Sequence, residues 1–170
     1  MKRFAILACL SAIAVAGCGS DNPSGPSNQP TVFTVALKAS NETPPVTNDE
    51  SGGSGTAIIT FNTVKDSSGT ITSGKVDFNV SLTGFPPNTL LTAAHIHPGA
   101  AGVAGTVLLS TGLAPGDNVV LTNGSGTFSK TGVDPKSVAD LQTILSNPAG
   151  FYFNVHTQKN PAGVVRGQLQ

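Results

Sequence analysis

The chain has 170 residues, with nine lysines and arginines against nine aspartates and glutamates, so it is formally neutral. That balance leaves no basic patch to hold nucleic acid by counterion release. With charged residues at only 11 % and with 20 glycines, the composition points to an all-β exported domain and away from a helical one.

The first element is a leader. Lys2 and Arg3 precede Phe4 to Val15, which is apolar except for Ser11. A basic head, a short apolar run and small residues make a secretory signal, whereas a permanent membrane span needs about 20 apolar residues. Val15-Ala16-Gly17-Cys18 resembles the lipobox of bacterial lipoproteins. The resemblance implies removal of residues 1–17 as a signal peptide and lipid on Cys18, which anchors an exported protein to a membrane. Gly19 follows Cys18 where an aspartate would signal retention. By resemblance to the Gram-negative sorting rule, this favours the outer membrane in a Gram-negative host. The mature chain keeps seven basic residues against nine acidic, and Cys18 is its only cysteine. No disulfide can form within it, so core burial must stabilise it. Residues 18–30, rich in Ser, Asn, Gly and Pro, read as a lipidated flexible tether.

The domain spans 31–170. Thr31 to Ala39 alternates Phe33, Val35 and Leu37 with smaller or polar residues, the period of a half-buried strand. Thr56 to Val64, with Ala57, Ile59 and Phe61 on one face, and Gly74 to Gly84, with Val76, Phe78, Val80 and Leu82 inward, read as a hairpin around the turn at Asp66 to Gly69. Leu91 to His97 is a strand stopped by Pro98-Gly99. Val103 to Ser110 is expected to be another, with Val107 and Leu109 inward. Val119 to Leu121 and Gly126 to Lys130 flank a tight turn at Asn123-Gly124. The period then changes: Val138, Leu141, Ile144 and Leu145 recur at helical spacing over Asp134 to Leu145, with Asp134 as N-cap and Pro135 at the first helical position. Phe151 to His156 and Val164 to Leu169 close the chain around a turn at Lys159 to Gly163. Seven to nine short strands and one short helix predict an all-β, antiparallel, Greek-key-like sandwich or barrel.

The chain has three histidines. His95 and His97 lie two apart on one strand and so share a face. In Phe151 to His156 the apolar face is Phe151, Phe153 and Val155, so Tyr152, Asn154 and His156 point the other way. Arg166 is outward between the inward Val165 and Leu169. If these strands are neighbours, three imidazoles and a guanidinium share one face. The plainer reading makes the histidines structural hydrogen-bonders. The alternative is that His95, His97 and His156 ligate copper or zinc, for which three neutral imidazoles are a common set, with Tyr152 and Asn154 orienting the rings. No serine sits in a nucleophile elbow and no carboxylate pair has glycosidase spacing. Glu42, in Asn41-Glu42-Thr43-Pro44-Pro45, reads as ordering its loop by accepting backbone N–H bonds.

Leu37-Lys38-Ala39-Ser40-Asn41-Glu42-Thr43-Pro44-Pro45-Val46 resembles the opening of a CHRD domain, the module first described in chordin. Ala94-His95-Ile96-His97 with Pro98-Gly99 resembles its central motif. Phe151 to Thr157 followed by Pro161 to Leu169 resembles its C-terminal signature. The resemblance runs from about Val32 to Leu169 and implies a domain type, not an activity. The order of the histidine motifs and of Asn160-Pro161-Ala162-Gly163 before Arg166 is also similar to copper/zinc superoxide dismutases. That similarity implies copper-ligand places for His95, His97 and His156 and an anion-guiding place for Arg166. The bridging histidine, the zinc loop and the cysteine pair of that family have no counterpart here. Three readings follow: a non-enzymatic envelope module that binds an envelope or extracellular partner, a copper- or zinc-binding protein, and a dismutase-type redox enzyme. The first is preferred.

Overall fold

The computed structural model describes residues 28–170; the leader, cleavage and lipidation expectations fall on residues 1–27 and lie outside the described residues. Alternating β-branched and aromatic residues build the strands β1 (Thr31–Lys38), β2 (Ser54–Lys65), β3 (Ile71–Thr83), β4 (Thr89–Pro98), β5 (Leu109–Ser110), β6 (Val120–Leu121), β7 (Gly126–Val133), β8 (Phe151–Thr157) and β9 (Val165–Gln168). One helix, α1 (Val138–Ser146), precedes β8. The strands form one curled antiparallel sheet in the order β5-β4-β8-β9-β1-β2-β3-β7, with β6 also paired to β4. The fold is all-β, as the strand pattern predicts. β9 lies between β8 and β1, so the chain's last strand joins the N-terminal hairpin to the β4–β8 pair.

The inner face of the curl is the core. Val35 and Leu37, Ala57, Ile59 and Phe61, and Val76, Phe78, Val80 and Leu82 are all buried, each set at the predicted parity. From the other half come Ala94 and Ile96, Phe151, Phe153 and Val155, and Val165. Phe78 of β3 stacks on Phe153 of β8 across the interior, ring centroids 5.7 Å apart. Each such large apolar side chain withdrawn from water contributes about 1.5–3 kcal/mol.

Three expectations change, and β4 carries an irregularity the sequence pattern did not address. In β4 a register shift between Leu91 and Ala93 lets Leu91 and then Ala94 and Ile96 face inward. The bulge adds one residue and reverses the parity downstream. Residues 103–108 form a loop, not strand: Val107 is 38 % exposed, and only Leu109–Ser110 pair with β4. β6 pairs with β4 instead of β7, although Gly124, with φ +74°, does turn the chain between them. The helix begins three residues later than predicted, at Val138 instead of Pro135. Ser137 is its N-cap, its side chain accepting from the Asp140 N–H while the Asp140 side chain accepts from the Ser137 N–H. Asp134 is drawn off to Lys75, 2.7 Å away.

Candidate metal centre

The outer face of the β4–β8–β9 segment carries the polar residues. His95 pairs with Asn154 and His97 with Tyr152 across β4 and β8, and Asn154 pairs with Arg166 across β8 and β9. The parity read from the sequence therefore places His95, His97, Tyr152, Asn154, His156 and Arg166 together. The face is not open to water. Loops 39–50, 99–108 and 158–163 lie over it, so every residue of β8 is buried on both sides.

The ligand nitrogens of His95, His97 and His156 all lie within 4.8 Å of one another. His95 Nδ1 is 3.0 Å from His156 Nε2. His156 Nδ1 lies 3.0 Å from the Pro161 carbonyl and His97 Nδ1 lies 3.0 Å from the Gly105 carbonyl. A carbonyl only accepts, so both rings carry their proton on Nδ1 and leave Nε2 bare. His95 Nδ1–H is then the donor to His156 Nε2. Nitrogens bound to one ion at about 2.0–2.1 Å stand roughly 3–4 Å apart. The observed spacing reaches that with small rotamer adjustments. Backbone carbonyls already orient two of the three rings, the usual support for metal-bound imidazoles.

All three imidazoles are held neutral. Burial pushes His95 down to about 4, reinforced by repulsion from His156, His97 and the exposed Lys136. Burial also lowers His97, against the raising effect of its bonds to Gly105 and Asn154, and lowers His156. Neutral imidazole is the form that coordinates. His97 and His156 are 6 % and 7 % exposed, while His95 is only half-buried and supplies the accessible side.

Tyr152 and Arg166 support this cluster from beside it. The His97 and Tyr152 rings stack at 4.9 Å, only 5° from parallel. The Arg166 guanidinium lies 3.4 Å from the Tyr152 ring centroid. Arg166 is 2 % exposed, and its Nη2 donates to the Ala100 and Val103 carbonyls at 2.8 and 2.9 Å. The Tyr152 hydroxyl accepts from the Gly105 N–H. The guanidinium is thus turned into the 99–105 loop and away from His95.

Glu42, read from the sequence as a loop residue, is brought to the same cluster. It is 7 % exposed, next to the Asn154 amide, and its Oε1 has no hydrogen-bond partner. Burial raises it to about 7, opposed by the charge of Arg166 and by bonds from Asn154 and Thr43. Sequence reasoning kept Glu42 apart because nothing local links residue 42 to residues 154 and 163; their only signal was that they fall in the first and last motifs of the chain. A carboxyl whose folded value lies above its unfolded value favours the fold below about pH 4.5 and loses that contribution as pH rises through 7. Glu42→Gln is therefore expected to stabilise the protein by about 2 kcal/mol above pH 7.5, with the gain vanishing near pH 4.5. Urea denaturation across that range measures it, and a gain independent of pH would contradict the assignment.

Three comparisons bear on this arrangement. A family model described as CHRD domain matches residues 33–169. No curated protein and no solved structure matches the chain.

Proposed function

The chain belongs to the CHRD domain family, and from that premise we propose that it is an exported, lipid-anchored envelope protein whose domain is a non-enzymatic module binding one copper or zinc ion on His95, His97 and His156. The observation that carries the metal reading is the convergence of the ligand nitrogens of all three histidines of the chain within 4.8 Å. Their neutrality and the carbonyls behind His97 and His156 support it. The direct His95–His156 contact brings the two rings' nitrogens to 3.0 Å, the spacing of two ligands on one ion. The burial of Arg166 weighs against dismutase-type turnover, since a guanidinium spent on loop carbonyls does not steer anions.

Calorimetry on the tag-free full-length protein tests the proposal. One Cu²⁺ should bind per chain, and more tightly than Zn²⁺, following the affinity order at imidazole sites. His97→Ala and His156→Ala should each weaken binding at least about 100-fold, as expected when a three-nitrogen site loses a ligand. Because all three imidazoles are already neutral, and His95 needs only to move its proton from Nδ1 to Nε2, binding should release close to no proton near pH 7, visible as a heat nearly independent of buffer ionisation. Lowered histidine values put proton competition below the ordinary range near 6.5, so affinity should hold from pH 8 to about 6 and fall only in more acid solution. Equal, weak binding by wild type and His97→Ala would remove the metal reading.

A further inference from the structure

Arg166 is a buried cation without a counter-ion. It is 2 % exposed, and no carboxylate lies within ion-pair range of it among the described residues. A guanidinium is always charged in a protein, and a charge withdrawn from water is costly unless an opposite charge meets it. The bonds that brace the 99–105 loop use a single nitrogen: Nη2 donates to the Ala100 and Val103 carbonyls and to Gln168 Oε1. Nε and Nη1 have no hydrogen-bond partner among the described residues. The one fully enclosed side-chain atom left without a partner there is Glu42 Oε1, so Nε and Nη1 still reach accessible space.

That space is a cavity of about 450 Å³ with Arg166 in its wall, a size common among ligand pockets. The loop after β1 supplies Ser40, Thr43 and Pro45, and the 99–105 loop supplies Ala101 and Gly102. All five are exposed, whereas Arg166 and Glu42 are buried beneath them. Glu42 is the one carboxyl lining the cavity, but its oxygens are turned elsewhere. A Cβ on Gly163 would lie 2.7 and 2.8 Å from them and 2.8 Å from Asn154 Nδ2. Burial also favours the protonated form of Glu42. The guanidinium's charge is therefore left for a ligand to answer.

The same residues set the class of that ligand. One unanswered positive charge calls for one negative charge, and a dianion would bring a second charge close to Glu42. Two free N–H groups on a charged planar donor suit carboxylate oxygens. Pro45, Ala101 and Gly102 offer apolar wall to a short carbon chain, and Ser40 and Thr43 offer hydroxyls. We propose that this cavity binds a small monocarboxylate through Nε–H and Nη1–H of Arg166. The site uses no histidine, so it stands whether or not the metal reading does.

The test is titration of the metal-free full-length protein with sodium acetate and sodium lactate, with chloride holding the ionic strength constant. Tyr152 is the only tyrosine of a chain without tryptophan, and the guanidinium lies 3.4 Å from its ring centroid. Intrinsic fluorescence therefore reports on this one side chain. The wild type should show a saturable fluorescence change and a shift of the Arg166 Nε–H resonance in ¹⁵N spectra, half-complete below about 100 mM. Arg166→Lys keeps the charge but loses both free N–H groups, and should bind about 10–100-fold more weakly, as for the loss of a charge-assisted hydrogen bond. Glu42→Gln should bind at least as tightly as the wild type at pH 8, because it removes the only other charge in the cavity wall. An unmoved Arg166 resonance, a response that does not saturate, or an equal response to chloride alone overturns the proposal. So does undiminished binding in Arg166→Lys; where that variant does not fold, the wild-type resonance decides. Phosphate binding more tightly than lactate would overturn the monocarboxylate class. Failure of copper to bind leaves these outcomes unchanged, and their failure leaves the histidine site unchanged.

Discussion

Replacing Cys18 by serine is expected to abolish lipid attachment and leave the protein either released or unprocessed. The leader offers a basic head at Lys2 and Arg3, an apolar run to Val15 too short to remain as a span, and the small residues Ala16 and Gly17 before the cysteine. Cleavage at that point would leave Cys18 as the mature chain's only thiol and first residue, so one substitution would remove the whole lipid attachment. The magnitude follows from lipid arithmetic. One acyl chain binds a bilayer marginally, and each buried methylene adds about 0.8 kcal/mol, so a cysteine carrying several chains is held against salt and carbonate alike. Fractionation of cells expressing wild type and Cys18→Ser should find the first in carbonate-washed membranes and the second either soluble or retained as an unprocessed precursor of higher mass. Cys18→Ser protein of mature mass in washed membranes would refute the lipid anchor, as would release of the wild type by salt alone. Cys9→Ser, inside the leader, should behave as wild type.

The strand pattern was legible wherever one face of a strand is buried and the other is not. β1, β2 and β3 show this, because Val35, Ile59 and Phe78 alternate with polar neighbours and a period of two admits one reading. The grouping of the three histidines was legible by the same rule, since parity sets the face from sequence alone. Parity does not say what lies on that face. Tyr152, Asn154, His156 and Arg166 point away from the core as expected, yet all are buried, because the loops that cover them are long-range neighbours with no periodic signal. The loop at 103–108 was misread as strand for a related reason. Its valines and leucines suit a strand, but its backbone is committed elsewhere: Val103 O to Arg166, Gly105 O to His97 and Gly105 N–H to Tyr152. A Cβ at Gly105 would meet the Pro98 carbonyl at 1.8 Å, so the loop's approach to the strand depends on a glycine whose reason is tertiary. The helix start was misjudged between two competent caps. Asp134 and Pro135 form a sound signal, but Lys75 on a distant strand takes Asp134, and Ser137 with Asp140 forms the reciprocal pair. Glu42 shows the same limit at the site, where the local motif was visible and its partners were about 110 residues or more away.

Arg166→Ala is expected to cost about 3–5 kcal/mol, a large part of the roughly 5–15 kcal/mol that stabilises a typical domain. The side chain is 2 % exposed and among the largest fully buried ones. Its removal leaves a cavity beside Tyr152. It also takes the guanidinium donor from the Val103 carbonyl and from the Ala100 carbonyl, which keeps only the Val103 N–H, and removes a desolvated cation–π contact at 3.4 Å. Arg166→Lys should recover only part of the loss, since an ammonium keeps the charge but cannot lie flat on the ring while reaching both carbonyls. Urea denaturation of metal-free protein measures both variants. The comparison also separates two roles for the residue. As a strut holding the 99–105 loop over the histidines, Arg166 should matter in the absence of any anion, and in Arg166→Lys azide binding to the copper-loaded protein should stay near wild type. As an anion guide of the kind the dismutase resemblance implies, it should matter little to stability, and azide affinity should fall in Arg166→Ala while the denaturation midpoint stays put. A loss below about 1 kcal/mol in Arg166→Ala would defeat the strut, because a buried guanidinium with two carbonyl partners and an aromatic platform cannot be removed that cheaply unless the loop it holds has another fixing.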